Sequence, residues 1–263
     1  MEQQTKYLPD AHYMENQQYL TWGHRGMLLD WLAQVHTICP FTIESFFICV
    51  NILDRFCSVY HNIPLKRYQL AGIASVLIAS KFEEVVSISA SRLVEWTNHA
   101  YSLEQLLQAE CYILDTIGWD LSYPGPMGWL RRASRADGLE IRSRTIAKYL
   151  LEVGIFEPRL ISVPPSLMAA AAIYLARLAM DREDWVSTSL CRRCCSYLTQ
   201  TYNLIHYSTY QEWELIPVAS VMLTYIASVQ PPHLNLYNKY ASRLYLKVRV
   251  ASHGSTLTDT LIG

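Results

Sequence analysis

Apolar residues recur along this chain at steps of three and four, and stretches alternating at every second residue are scarce. The pattern predicts helices near 24–37, 42–57, 65–83, 90–98 and 102–117. A turn-rich joint follows, "DLSYPGPMG" at 120–128, with Pro124 and Pro126. A second series is predicted near 126–136, 140–156, 164–180, 187–199 and 207–228. Five helices, a joint and five helices again predict an all-α chain built by duplication.

The residues support that duplication. "FFICVNILDRF" (46–56) shares its apolar spacing with "TIAKYLLEVGI" (145–155). "PLKRYQLAGIASVLIASKF" (64–82) aligns with "SVPPSLMAAAAIYLARLAM" (162–180), both opened by proline and filled with alanine. The offset is about 97–98 residues and grows to about 106 in the last helix, as an insertion between the third and fifth helices would produce. In each half the third helix is small and apolar nearly all round. Such a helix belongs at the centre, with the other four packed around it.

Four charges interrupt the apolar faces of the first half. Lys81 shares a stripe with Leu70, Ala74 and Leu77, and Glu110 shares one with Leu103, Leu107 and Leu114. Arg25 lies with Leu28, Leu29 and Leu32, and Asp54 follows Phe47 and Val50. A buried unpaired charge costs several kcal/mol or more, so each of these needs a partner. For Arg25 and Asp54 an internal ion pair is expected. For Lys81 and Glu110 the duplication points outward: their counterparts in the second half are Leu178 and Ile216, both apolar. The fold does not need charge there, so the first half is expected to use it on a partner's backbone carbonyls and amides.

Composition narrows the classes. The 263 residues suffice for one large or two small domains, and a formal net charge of −1 gives no global field toward nucleic acid or an anionic membrane. The seven cysteines follow no disulfide framework, which favours a reducing compartment. "CRRCC" (191–195) has no second Cys/His pair at zinc-finger spacing, so ordinary thiols are expected rather than a metal, and no cofactor is expected. The polar N-terminus carries no signal peptide, and the longest apolar run is broken by Arg177. A soluble intracellular protein is expected. An isoprenoid-synthase-like enzyme would need clustered aspartates for Mg²⁺, and the acids here are scattered. A DNA-bound general transcription factor on the same duplicated fold would need a basic face, against a pI of about 6.7.

Four stretches of the first half carry a family resemblance: "HRGMLLDWLAQVH" (24–36), "VNILDRF" (50–56), "QLAGIASVLIASKFEEV" (69–85) and "LQAECYILDTIGWDLSYPGPMGWLRRASRAD" (107–137). With "RTIAKYLLEVG" (144–154) and "PPSLMAAAAIYLAR" (164–177), the chain resembles a cyclin, and within that family the B-type mitotic cyclins of fungi. The resemblance implies two tandem five-helix cyclin boxes, each with a central small-residue helix. The boundaries expected are an N-terminal segment 1–20, boxes at 21–122 and 123–230, and a tail 231–263. It also implies a non-catalytic subunit that binds and activates a cyclin-dependent kinase at the G2-to-mitosis transition and helps recruit substrates. A cyclin-fold scaffold, or a transcription-type cyclin-box protein, without cell-cycle kinase activation is the alternative.

The family's signature residues fall on Arg25, Asp54, Leu70, Lys81 and Glu110. The resemblance implies that Lys81 and Glu110 contact the kinase and that Arg25 and Asp54 pair internally. Ile78, Phe82, Glu84, Trp119 and Leu121 match further kinase-contacting positions. A docking patch for substrates and inhibitors with Arg-x-Leu motifs is implied at Met27, Leu28, Trp31, Gln34 and Gln69, beside His24. His24 replaces a usual methionine, and Gln34 stands where some cyclins carry an acid, so weak or altered docking is expected. Arg131 and Arg135 lie one turn apart on one helix, and Arg144 and Lys148 on the next. If those helices pack antiparallel, the four can converge on an anion carried by a phosphorylated substrate or adaptor; the alternative reading is ordinary solvated surface charge. The chain starts almost at the first box, so no destruction box is read from it. "RYQL" (67–70) and "RLYL" (243–246) are taken as chance matches to its bare pattern. Residence in nucleus and cytoplasm is implied by the resemblance alone, and neither nucleic acid nor membrane is expected as a partner.

Overall fold

The computed structural model describes residues 2–39, 41–136, 138, 140–180, 205–228 and 234–241. The chain divides into two compact units, Met1–Gly125 and Pro126–Gly263. Among the described residues the secondary structure is helical throughout.

The first unit contains α1 (Trp22–Ile38), α2 (Ile43–Val59), α3 (Leu65–Glu83), α4 (Ala90–Trp96) and α5 (Leu103–Thr116). Local chemistry sets several of their ends. Thr21 and Ser102 accept the N3 backbone N–H of α1 and α5, and the His24 and Gln105 side chains accept the cap N–H in return. α5 stops where Gly118 turns left-handed at φ +70, letting the Trp119 N–H reach back to the Leu114 carbonyl. Asn98, at φ +51, ends α4 in the same way.

α3 is the centre of this unit. Every residue from Ala71 to Ser80 is buried, and α1, α2, α4 and α5 all pack on it. Small side chains make that possible. A Cβ added at Gly72 would lie 3.0 Å from Leu28 Cδ1, so α1 approaches α3 as closely as glycine allows. The first twenty residues pack on α2: Tyr13 is fully buried, the Gln17 amide donates to the carbonyls of Cys57 and Tyr60, and Asn51 donates to the Tyr7 carbonyl.

The second unit contains α6 (Pro126–Ala136), α7 (Ile141–Gly154), α8 (Pro165–Leu178), α9 (Glu212–Ser228) and α10 (Leu234–Ala241). The alanine-rich α8 is buried along most of its length and packs on α6, α7 and α9. The helix expected at 187–199 and the "CRRCC" run lie outside the described residues, as does "RLYL". The single helix expected over 207–228 is broken. A helical turn at 205–208 ends at Thr209, which is left-handed at φ +68, and α9 begins only at Glu212. The Tyr210 hydroxyl then bonds Ser166 Oγ at 2.7 Å, tying the break to the start of α8. Part of the stretch expected as a tail is helical: α10 packs on α7, with Leu236 and Tyr240 buried.

Candidate functional site

Arg25 and Asp54 meet inside the first unit. Arg25 Nε donates to Asp54 Oδ1 at 2.9 Å and Nη2 to Oδ2 at 2.7 Å, and both side chains are almost wholly buried. The Tyr13 hydroxyl donates to Asp54 Oδ1 at 2.8 Å. Burial alone would pull the guanidinium's pKa down, but the Asp54 charge and its hydrogen bonds hold it well above the ordinary value. This pair joins α1 to α2, and removing one partner from such a pair costs about 3–5 kcal/mol. Tyr13 was not legible as a partner, because its contact spans 41 residues and depends on how the N-terminal segment folds back.

Lys81 and Glu110 also pair with each other, beside the outward contact expected from the sequence. Lys81 Nζ donates to Oε1 at 2.6 Å and to Oε2 at 2.8 Å. The pair is lopsided: the Lys81 side chain is 47% exposed and that of Glu110 10%. The reason lies in α3, which is covered up to Ser80 and emerges at Lys81 in its last turn. An ammonium carries three protons, and Glu110 engages two donor directions, so Lys81 keeps donor capacity toward solvent. Phe82, Leu103 and Leu107 are exposed large apolar residues. Leu103 and Leu107 share the Glu110 stripe on α5, so half of that stripe faces water rather than core.

Two expected contact residues are placed otherwise. Ile78 is 2% exposed and belongs to the core, because it precedes the point where α3 emerges. Glu84 caps α2. Its Oε1 accepts the Thr42 N–H at 2.7 Å, the Thr42 hydroxyl at 2.9 Å and the Ser45 hydroxyl. Burial pushes its pKa up, but the bonds from Ser45 and Thr42 outweigh it and hold the carboxylate below its ordinary 4.5. Trp119 is exposed and Leu121 half-buried, just beyond α5.

A shallow groove of about 220 Å³ lies between α1 and α3, lined by His24, Met27, Leu28, Trp31, Leu65, Tyr68 and Gln69. Met27 is 66% exposed, whereas Leu28 is buried and forms the floor. Gln34 is exposed but lies outside the lining. Leu65 and Tyr68 were missed in the sequence because they sit on α3, and only packing brings them against α1. No acid lines the groove.

Two family models cover nearly the whole chain: the cyclin N-terminal domain matches residues 1–122, and the cyclin C-terminal domain matches residues 124–253. The chain belongs to the cyclin family. This cyclin is 41% identical over 242 residues to the G2/mitotic-specific cyclin cdc13 of Schizosaccharomyces pombe, covering 91% of this chain and 46% of that one. It is 39% identical over 244 residues to the G2/mitotic-specific cyclin-B of Emericella nidulans, covering 92% and 47%. It is 36% identical to the G2/mitotic-specific cyclin-4 of Saccharomyces cerevisiae, covering 91% and 48%. The chain thus spans about half the length of these curated relatives. A viral cyclin from herpesvirus saimiri shares the fold, with a TM-score of 0.69 at 20% identity over 90% of this chain and 97% of that one.

In the second box of this cyclin, Arg131 and Arg135 are exposed on α6, while Arg144 and Lys148 are half-buried on α7, which packs against α6. That box also holds a charged pair absent from the sequence reading. Glu152 on α7 is buried and accepts two bonds from Lys239 Nζ, at 2.9 and 2.7 Å, and one from the Tyr240 hydroxyl. The available signal was an acid on an apolar stripe of α7. Its partners lie 87 and 88 residues away in a stretch read as tail. Among the described residues no group of His, Cys, Asp and Glu could hold a metal. No described helix is long and apolar enough to cross a membrane.

Proposed function

We propose that this cyclin is the non-catalytic regulatory subunit of a mitotic cyclin-dependent serine/threonine kinase, activating it at the G2-to-mitosis transition in nucleus and cytoplasm. The observation that carries this reading is the half-open Lys81–Glu110 pair on a face with exposed Phe82, Leu103 and Leu107. The second box has Leu178 and Ile216 at the corresponding positions, so the charge serves one box only. The relatives' names as G2/mitotic-specific cyclins support the same reading.

The mechanism is selection of a conformer. A kinase whose inactive and active forms interconvert is activated only as far as its partner binds the active form better. Phe82, Leu103, Leu107, Trp119 and Leu121 supply apolar surface. The spare Lys81 proton and the outer lone pairs of Glu110 fix backbone groups on the kinase once water is excluded. In this reading Ile78 and Glu84 support the face from behind rather than touch the kinase. The α1–α3 groove recruits substrates and inhibitors with Arg-x-Leu motifs. Arg131, Arg135, Arg144 and Lys148 serve phosphorylated substrates or adaptors.

The test mixes the chain with an inactive, purified mitotic cyclin-dependent kinase and follows phosphate transfer to a Ser-Pro peptide. Wild type should activate. Lys81→Ala and Glu110→Ala should each lose about 2–5 kcal/mol of binding, as expected when one partner of an interfacial charge pair is removed, while keeping a helical circular dichroism spectrum. A wild-type chain that neither binds nor activates would leave a cyclin-fold scaffold as the answer.

A further inference from the structure

The stretch after α5 presents Trp119 and Leu121 on a strained backbone. Gly118 at φ +70 and Trp119 at φ +58 are consecutive left-handed residues. A bulky side chain adopts that conformation only where its surroundings hold it. Three parts of the first unit do so. From α2, Arg55 donates to the Asp120 carbonyl at 2.8 Å and to the Ile117 carbonyl at 3.3 Å. From the N-terminal segment, Lys6 Nζ and the Tyr7 hydroxyl donate to the Asp120 carboxylate at 2.5 and 2.9 Å. From α5 itself, Asp115 Oδ1 accepts the Trp119 indole N–H at 2.8 Å. The Arg55 guanidinium lies 5.4 Å from the centre of the Tyr7 ring, which closes the group.

We infer that Asp120 is a positioning residue for kinase binding: clamped by Arg55, Lys6 and Tyr7, it presets the backbone that presents Trp119 and Leu121. The inference rests on the kinase reading above. Solvated ion pairs contribute little to folding, and Lys6 is two-thirds exposed, so the clamp's use is geometric. Ordering this stretch before the kinase arrives removes an ordering cost from binding. The hydrogen bonds from Lys6 and then Tyr7 hold the Asp120 carboxyl below its ordinary 3.8, so the clamp stays charged at neutral pH. The N-terminal segment thereby belongs to the activating device, acting through Asp120.

The test measures kinase affinity and thermal unfolding for the full chain carrying Asp120→Asn, Lys6→Ala, Trp119→Ala, Lys81→Ala, or Asp120→Asn with Trp119→Ala. Asp120→Asn should weaken binding about two- to thirty-fold, with the unfolding midpoint moved by less than about 2 °C. In the Trp119→Ala background the same change should cost less than it does alone, because part of the effect of Asp120 acts through Trp119. A merely structural residue would lower the unfolding midpoint and give additive losses, which overturns the inference. Lys6→Ala carries the same test should Asp120→Asn fail to fold. If Lys81→Ala weakens binding and Asp120→Asn and Lys6→Ala do not, the clamp is wrong and the kinase reading stands. If wild type does not bind the kinase, both fall.

Discussion

Glu84 Oε1 takes three hydrogen bonds at the start of α2, two from its N-cap residue Thr42 and one from Ser45. At the scale of one residue this adds a role that the sequence did not show. By resemblance this acid in "KFEEV" matches a partner-contacting position; the geometry favours the cap. A group whose pKa is depressed on folding adds stability that is full above its unfolded value and lost as pH falls through the folded one. The stability difference between wild type and Glu84→Gln, measured by urea unfolding, should therefore be flat from about pH 7 to 5. It should shrink toward zero as the pH falls below the ordinary 4.5. A difference that grows in acid would contradict the capping account. Ile78 makes the complementary point: periodicity places it on α3, but only the depth at which neighbours cover that helix makes it core.

At the scale of elements, α3 and α8 were the most legible parts. Proline at the start and small residues nearly all round leave a helix little choice but the middle of a bundle, and both are there. α10 was the least legible. Its contacts, the Lys239 ion pair, the Tyr240 hydroxyl bond and the buried Leu236 and Tyr240 side chains, have meaning only against α7. Glu152 has the Lys239 ammonium as its charge partner there. Lys239→Met should destabilise the chain by about 3–5 kcal/mol, as for a buried acid losing its cation. Adding Glu152→Gln should recover most of that loss. Urea unfolding of both variants checks this, and a loss under about 1 kcal/mol for Lys239→Met would mean the pair is solvated in solution.

For the whole molecule, duplication and charge asymmetry together carry the functional argument. One box bears the Lys81–Glu110 pair and the α1–α3 groove on different sets of residues, so the proposed kinase activation and substrate recruitment should separate by mutation. Replacing Met27 and Trp31 with Ala should leave the rate on a short Ser-Pro peptide within about twofold. It should weaken use of a protein substrate that carries an Arg-x-Leu motif by about 1 kcal/mol or more. Parallel steady-state assays on the two substrates check this. Equal losses on both would show that the groove supports the fold of the box rather than docking.

The chain by itself determined the helical class, the duplication, the central helices and the pairing of Arg25 with Asp54. Each follows from spacing along a helix or from the cost of burying a charge alone, and both are properties of short stretches. Tertiary structure decided which face of a helix reaches water. It exposed Lys81 but not Ile78, left Leu103 and Leu107 open, brought Leu65 and Tyr68 to the groove, and tied Asp120 to Lys6 and Glu152 to Lys239. Those outcomes depend on contacts between residues far apart in sequence, and a single helix's periodicity holds no record of what covers it.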